Sequence, residues 1–221
     1  MLSHAQARVV GALAEKQLTT PQQYPLTLLA LVSACNQPTN RDPVVDYTED
    51  QVTAVLEELR EDRLVRFVLP SHGRSVVRYR HVLDETFALD TGQLAVVAVL
   101  LLRGPQTAGE LRARTDRMAD YDSIGAVEGE LERLAAWEPP LVARQARRPG
   151  QKEDRWTELL RTHGEDGARE SPRSDDPASH VEHAARGPFE EVPIREAVAA
   201  LREEVAQLRH ALEELRSSLG G

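Results

Sequence analysis

The side chains best suited to metal binding or nucleophilic attack are seven histidines and one cysteine, and their spacing supports neither chemistry. His4, His72, His81, His163 and His210 are scattered, and only His180 and His183 lie close together. Two histidines without further ligands do not make a zinc site, which takes at least three protein ligands and a water. Cys35 is alone, so neither an internal disulfide nor a zinc knuckle can form. It falls on an apolar helix stripe, where a thiol is a small buried hydrophobe rather than a nucleophile. The chain has no glycine-rich phosphate loop and no HExxH, so we expect a non-catalytic protein with no cofactor and no metal.

Arginine offers the remaining chemistry. Residues 64–82 hold Arg66, Arg74, Arg78 and Arg80 and no acidic residue. Arg78 and Arg80, two apart on a strand, share one face. Residues 143–155 hold Arg144, Arg147, Arg148, Lys152 and Arg155 against Glu153 and Asp154. Such basic loops can hold nucleic acid through phosphates and a minor groove, or merely solvate turns. A second candidate contact is the polar turn with Asn36, Gln37, Asn40 and Arg41, although asparagines in turns commonly serve the backbone instead.

The elements that must carry these residues follow from spacing. Ser3 with Gln6 and Thr48 with Gln51 have capping-box spacing. The apolar stripe Val10, Leu13, Ala14 and Leu18 predicts a first helix, ended at Thr19-Thr20-Pro21. Pro25 is placed as the first residue of a second helix carrying Leu28, Leu31, Val32 and Cys35. Val52, Val55, Leu56 and Leu59 mark a third. Two β-rich runs, Leu64–Leu69 and Val76–Val82, flank a turn at Pro70-Ser71-His72-Gly73-Arg74. The order then repeats. Asp90 with Gln93 caps the apolar run Leu94–Leu102, closed by Gly104. Thr107 with Glu110 caps a short helix, Ser123 opens a third, and Leu141–Arg144 and Arg155–Leu160 flank Pro149-Gly150. Three helices and a hairpin, twice over, predict tandem winged helix-turn-helix domains at residues 1–88 and 89–161.

Residues 162–190 read as a disordered linker, poor in large apolar residues. Residues 191–221 hold an unbroken heptad, with Val198, Val205, Leu212 and Leu219 at a and Ile194, Leu201, Leu208 and Leu215 at d. Branched residues at a with leucine at d favour a parallel dimer. Arg195, Arg202, Arg209 and Arg216 all fall at e, which disfavours the antiparallel pairing that would oppose them. The expected architecture is therefore mainly α with small β-hairpins and a C-terminal coiled-coil helix that forms a homodimer.

Net charge decides between partners. The chain carries −9, of which residues 162–221 hold −6. The third helix of each domain would enter the major groove in the usual winged-helix complex. Residues 48–63 have net charge −4 and residues 123–138 have −3, which phosphates would repel. DNA is therefore a possible partner only through the basic wings; an unknown protein partner is the alternative, with the domains as docking modules. The start, MLSHAQARVVGALAEKQL, lacks the pattern of a secretory leader, and the longest apolar run has nine residues, against the roughly 20 needed to cross a membrane. A cytoplasmic setting without membrane contact is expected.

The runs EKQLTTPQQYPLTLLALVSACNQPTNRDPVVDYTEDQVTAVLEELREDRLVR (residues 15–66) and LLLRGPQTAGELRARTDRM (residues 100–118), with the turn around Arg147–Lys152, resemble the YceH-like family of uncharacterised bacterial proteins. The resemblance implies the tandem winged-helix fold and brings no activity with it. Pro38, where members often have lysine, and Leu29, where a polar residue is common, depart from the pattern and make this face less polar.

Overall fold

The chain builds a mainly helical structure with two small antiparallel sheets, seen in a computed structural model that describes residues 1–69, 76–147 and 151–161. Helix α1 (His4–Thr19) opens on the Ser3/Gln6 capping box, and its last backbone bonds close at Thr20, just before Pro21. A 3-10 turn at Pro21–Gln23 leads to strand β1 (Leu26–Thr27). Helix α2 (Leu28–Cys35) starts later than the proline signal suggests. Its cap is Thr27, whose hydroxyl accepts the Ala30 N–H at 3.3 Å, so Pro25 is not its first residue. The two residues between pair instead with a distant strand, an interaction that local spacing does not encode.

Helix α3 (Glu49–Glu61) begins at the Thr48/Gln51 box. Strands β2 (Val65–Val68) and β3 (Arg78–His81) follow and pair antiparallel, with Arg66 opposite Arg80. Strand β1 adds to the other edge of β3, Leu26 opposite Tyr79, which gives a three-stranded sheet. A short helix α4 (Leu83–Thr86), too brief to show a sequence period, leads into α5 (Thr91–Arg103). Gly104 ends α5 at φ 71°, a left-handed conformation that glycine reaches without penalty. Helices α6 (Ala108–Thr115) and α7 (Ile124–Ala135) open on Thr107 and Ser123 as their spacing indicates. Strands β4 (Val142–Gln145) and β5 (Arg155–Glu158) form the second sheet.

Packing centres on α1 and α5. Gln6–Ala14 in α1 and Gln93–Leu102 in α5 are buried without a break. A helix apolar on all sides has to lie inside the core, and these two lie against each other. The approach is close because α1 presents Gly11 there. A Cβ at that position would stand 3.1 Å from both Leu101 Cβ and Leu102 Cγ. Residues 1–88 and 89–161 thus contribute to one continuous hydrophobic cluster. The ends are also joined, since the Leu2 N–H donates to the Leu160 carbonyl at 2.7 Å. Among the described residues no helix is long and apolar enough to cross a membrane.

Replacing Gly11 with valine forces branched carbon into this contact. We expect G11V to lower unfolding stability by about 1–3 kcal/mol, measured by urea denaturation; an unchanged midpoint would show that the two helices can separate freely.

Candidate functional site

The two hairpins place the arginines singled out by the sequence, and tertiary structure supplies carboxylates that their own strands lack. Arg66 and Arg80 stand opposite each other on β2 and β3, an arrangement of like charges that is unfavourable by itself. Glu85 of α4 resolves it. One carboxylate oxygen lies 3.0 Å from Arg66 Nη2, and the other pairs with Arg80 Nη2. Arg78 donates to the Pro25 carbonyl at 2.8 Å. In the second hairpin Asp154 serves two arginines at once, Arg144 Nε at 3.0 Å and Arg147 Nε at 2.8 Å. The Arg144 guanidinium also lies 5.7 Å from the centre of the Trp156 ring. Arg155 reaches across to Glu110 at 3.0 Å. Lys152 is exposed in the turn. Arg74 and Arg148 lie outside the described residues, as do the dimerisation positions Ile194, Val198, Leu201, Val205, Leu208, Leu212, Leu215 and Leu219.

Apolar side chains are also exposed at the end of β2 and just before β3. Val68 is 37% exposed, Val76 60% and Leu69 73%. On neighbouring α3, Glu49, Asp50, Glu58, Glu61 and Asp62 all face solvent. The surface that the sequence marks as basic is therefore partly compensated, exposes apolar side chains and is bordered by acid.

The polar turn is an internal brace. Arg41 is buried, and its guanidinium grips both Glu15 oxygens, at 3.0 and 2.6 Å. It also donates to the Ala34 and Asn40 carbonyls and to Gln37 Oε1. Asn36 closes a two-way bond with the Tyr47 backbone, 2.8 Å in each direction. Asn40, in the left-handed region at φ 60°, accepts from Arg103. Beneath them Arg8, which the sequence reading did not single out, is buried in α1 and donates to the Cys35 and Pro43 carbonyls at 3.2 and 2.6 Å. An arginine on an otherwise apolar helix face was the available sign. Burial pushes the Cys35 thiol up to about 12, against the opposing pull of Arg41 and Arg8, which leaves it protonated and unreactive.

His81 is fully buried on β3, and its Nδ1 accepts the Leu83 N–H at 3.1 Å. Burial pushes its pKa down to about 4, against the pull of Asp84, so the folded protein keeps it neutral. Among the described residues no group of three or more His, Cys, Asp or Glu could hold a metal ion.

Three comparisons of energy and pH follow from these environments. Arg41→Met leaves half-buried Glu15 with only the looser contact of Lys16 at 3.6 Å and strips the Ala34 and Asn40 carbonyls of their donor, and we expect a loss of about 3–5 kcal/mol in urea unfolding. Arg66→Met removes an exposed pair and should cost about 0–1 kcal/mol; equal losses would contradict the distinction. For His81, the unfolded chain takes up its proton near the ordinary value of about 6.5, and the folded one only near 4. Its contribution is therefore full above about 6.5 and is lost as pH falls towards 4. The His81→Leu variant, which cannot titrate, should flatten the urea midpoint across that window.

A family profile described as "Protein of unknown function, DUF480" matches residues 2–151. The chain is 46% identical over 171 residues to a UPF0502 protein of Geotalea daltonii, covering 77% of this chain and 78% of that protein. It is 51% identical over 161 residues to a UPF0502 protein of Opitutus terrae, covering 72% and 70%.

Proposed function

We propose that this chain, which belongs to the DUF480 or UPF0502 family of uncharacterised bacterial proteins, also named YceH-like, is a non-catalytic cytoplasmic docking protein built from two winged helices. The repeated order of three helices and a hairpin supports the winged-helix reading. One observation carries the docking reading over nucleic-acid binding by the wings: Glu85 and Asp154 each already occupy two hairpin arginines, cutting the free charge of each pair to about half. Phosphate would have to displace these carboxylates beside an acidic helix, and affinity for nucleic acid rests on uncompensated cations. The exposed Val68, Leu69 and Val76 beside the acidic face of α3 suit a protein segment that is both basic and apolar. The heptad of residues 193–219 would present these surfaces twice in a parallel homodimer.

The test joins two measurements on the full chain. Anisotropy of labelled duplex DNA is followed at low and moderate salt, and a photo-crosslinker at Leu69 is activated in cells. Docking expects no saturable DNA binding and one discrete crosslinked protein, lost when Glu58 and Glu61 are replaced by lysine. Saturable DNA binding that falls steeply with salt would overturn it and make the wings a nucleic-acid interface. Sedimentation of the full chain should give a dimer, and Leu201→Glu with Leu208→Glu a monomer; a wild-type monomer would rule out the coiled coil.

A further inference from the structure

The segment 100–118 builds a site that the docking surface does not use. A cavity of about 260 Å³ lies between the end of α1, the Asn36–Pro43 turn and the C-terminal ends of α5 and α6. Three arginines line it, Arg103, Arg114 and Arg117, against two carboxylates, Glu15 and Asp116. Glu15 is already committed, since Arg41 holds both of its oxygens and Lys16 Nζ lies 3.6 Å away.

The arginines are poorly compensated by comparison. Arg103 donates to Asn40, a neutral amide. Arg114 stands 3.9 Å from Glu110 Oε1, which Arg155 also reaches at 3.4 Å, while Glu110 Oε2 accepts from Arg155 at 3.0 Å and from the Thr107 N–H at 2.8 Å. Arg117 has no hydrogen-bond or ion-pair partner among the described residues. Burial lowers the Arg103 pKa and the charge of Arg114 lowers it further, against the opposing pull of Glu110 and Asp42. The carbonyl ends of α5 and α6 offset roughly one positive charge between them. Six cations, Arg103, Arg114, Arg117, Arg41, Lys16 and Arg155, stand against four carboxylates, Glu15, Asp116, Glu110 and Asp42, so the surroundings stay slightly positive after the helix ends are counted. The remaining wall is apolar and includes Val99, Leu102 and Met118.

We propose that this cavity binds a small phosphomonoester, its phosphate held by Arg103, Arg114 and Arg117 and its organic part set against Val99, Leu102 and Met118. A phosphate dianion offers three acceptor oxygens, which suits three guanidinium forks better than a single carboxylate does. The volume lies just below the usual range of about 300–1,000 Å³ for small-molecule pockets, so the ligand is small. The turn that closes one side is the braced turn of Arg41, which holds Asn40 in place before any ligand arrives. The site is independent of the hairpins and of the docking reading.

Isothermal titration of the full chain with phenyl phosphate tests this, beside inorganic phosphate and sodium chloride at matched ionic strength. We expect one saturable site, phenyl phosphate binding more tightly than inorganic phosphate, and no response to chloride. Arg114→Gln and Arg117→Gln, changed where the side chains are half-buried or exposed, should each weaken phenyl phosphate by about tenfold or more with an unchanged melting temperature. No saturable heat at millimolar phenyl phosphate would overturn the proposal. So would undiminished binding in both variants, or inorganic phosphate binding as tightly as its phenyl ester.

Discussion

The fold depends on the contact between α1 and α5. Both helices are buried almost all round, so neither could stay in water alone without exposing a large apolar surface. Gly11 sets their separation, because the absence of a side chain lets Leu101 and Leu102 approach the α1 backbone. Everything else is arranged on this pair. The Asn36–Pro43 turn bonds to the end of α5 through the Asp42 N–H and the Leu102 carbonyl, at 2.9 Å. Helix α6 packs on α5 and brings Arg114 to the same end. The arginine cavity exists because two helices from distant parts of the sequence share one core.

Arginine does different work in each environment, and burial decides which. On the hairpins it is exposed and paired across an aqueous surface, where screening makes each pair weak. At Arg8 and Arg41 it is buried and saturates backbone carbonyls that would otherwise face the interior unsatisfied. Around the cavity it is neither saturated nor fully solvated, which is the condition under which an anion is attracted. Planarity and five donors let one residue type serve all three roles.

Much of the local structure was legible because its causes are local. The capping boxes at Ser3, Thr48, Asp90 and Thr107 each satisfy backbone donors within one turn, so three-residue spacing is sufficient to locate them. The left-handed exit at Gly104 is equally short-range. Pro25 misled because its fixed φ suits both a helix start and an extended strand entry; the choice came from Leu26 pairing with Tyr79, more than fifty positions away.

The candidate site was less legible for the same reason. Composition located the hairpin arginines and correctly found no acidic residue between positions 64 and 82. It could not reveal that Glu85, just outside that range, turns back onto both strands, or that Asp154 serves two arginines. Nor could spacing distinguish Arg41 as a brace from Arg41 as a contact. By itself the sequence determined where most of the helices are capped and which of their faces are apolar. Only tertiary structure decided the charge state of each surface, because electrostatic compensation depends on distance in space, and the chain brings together residues that no local period relates.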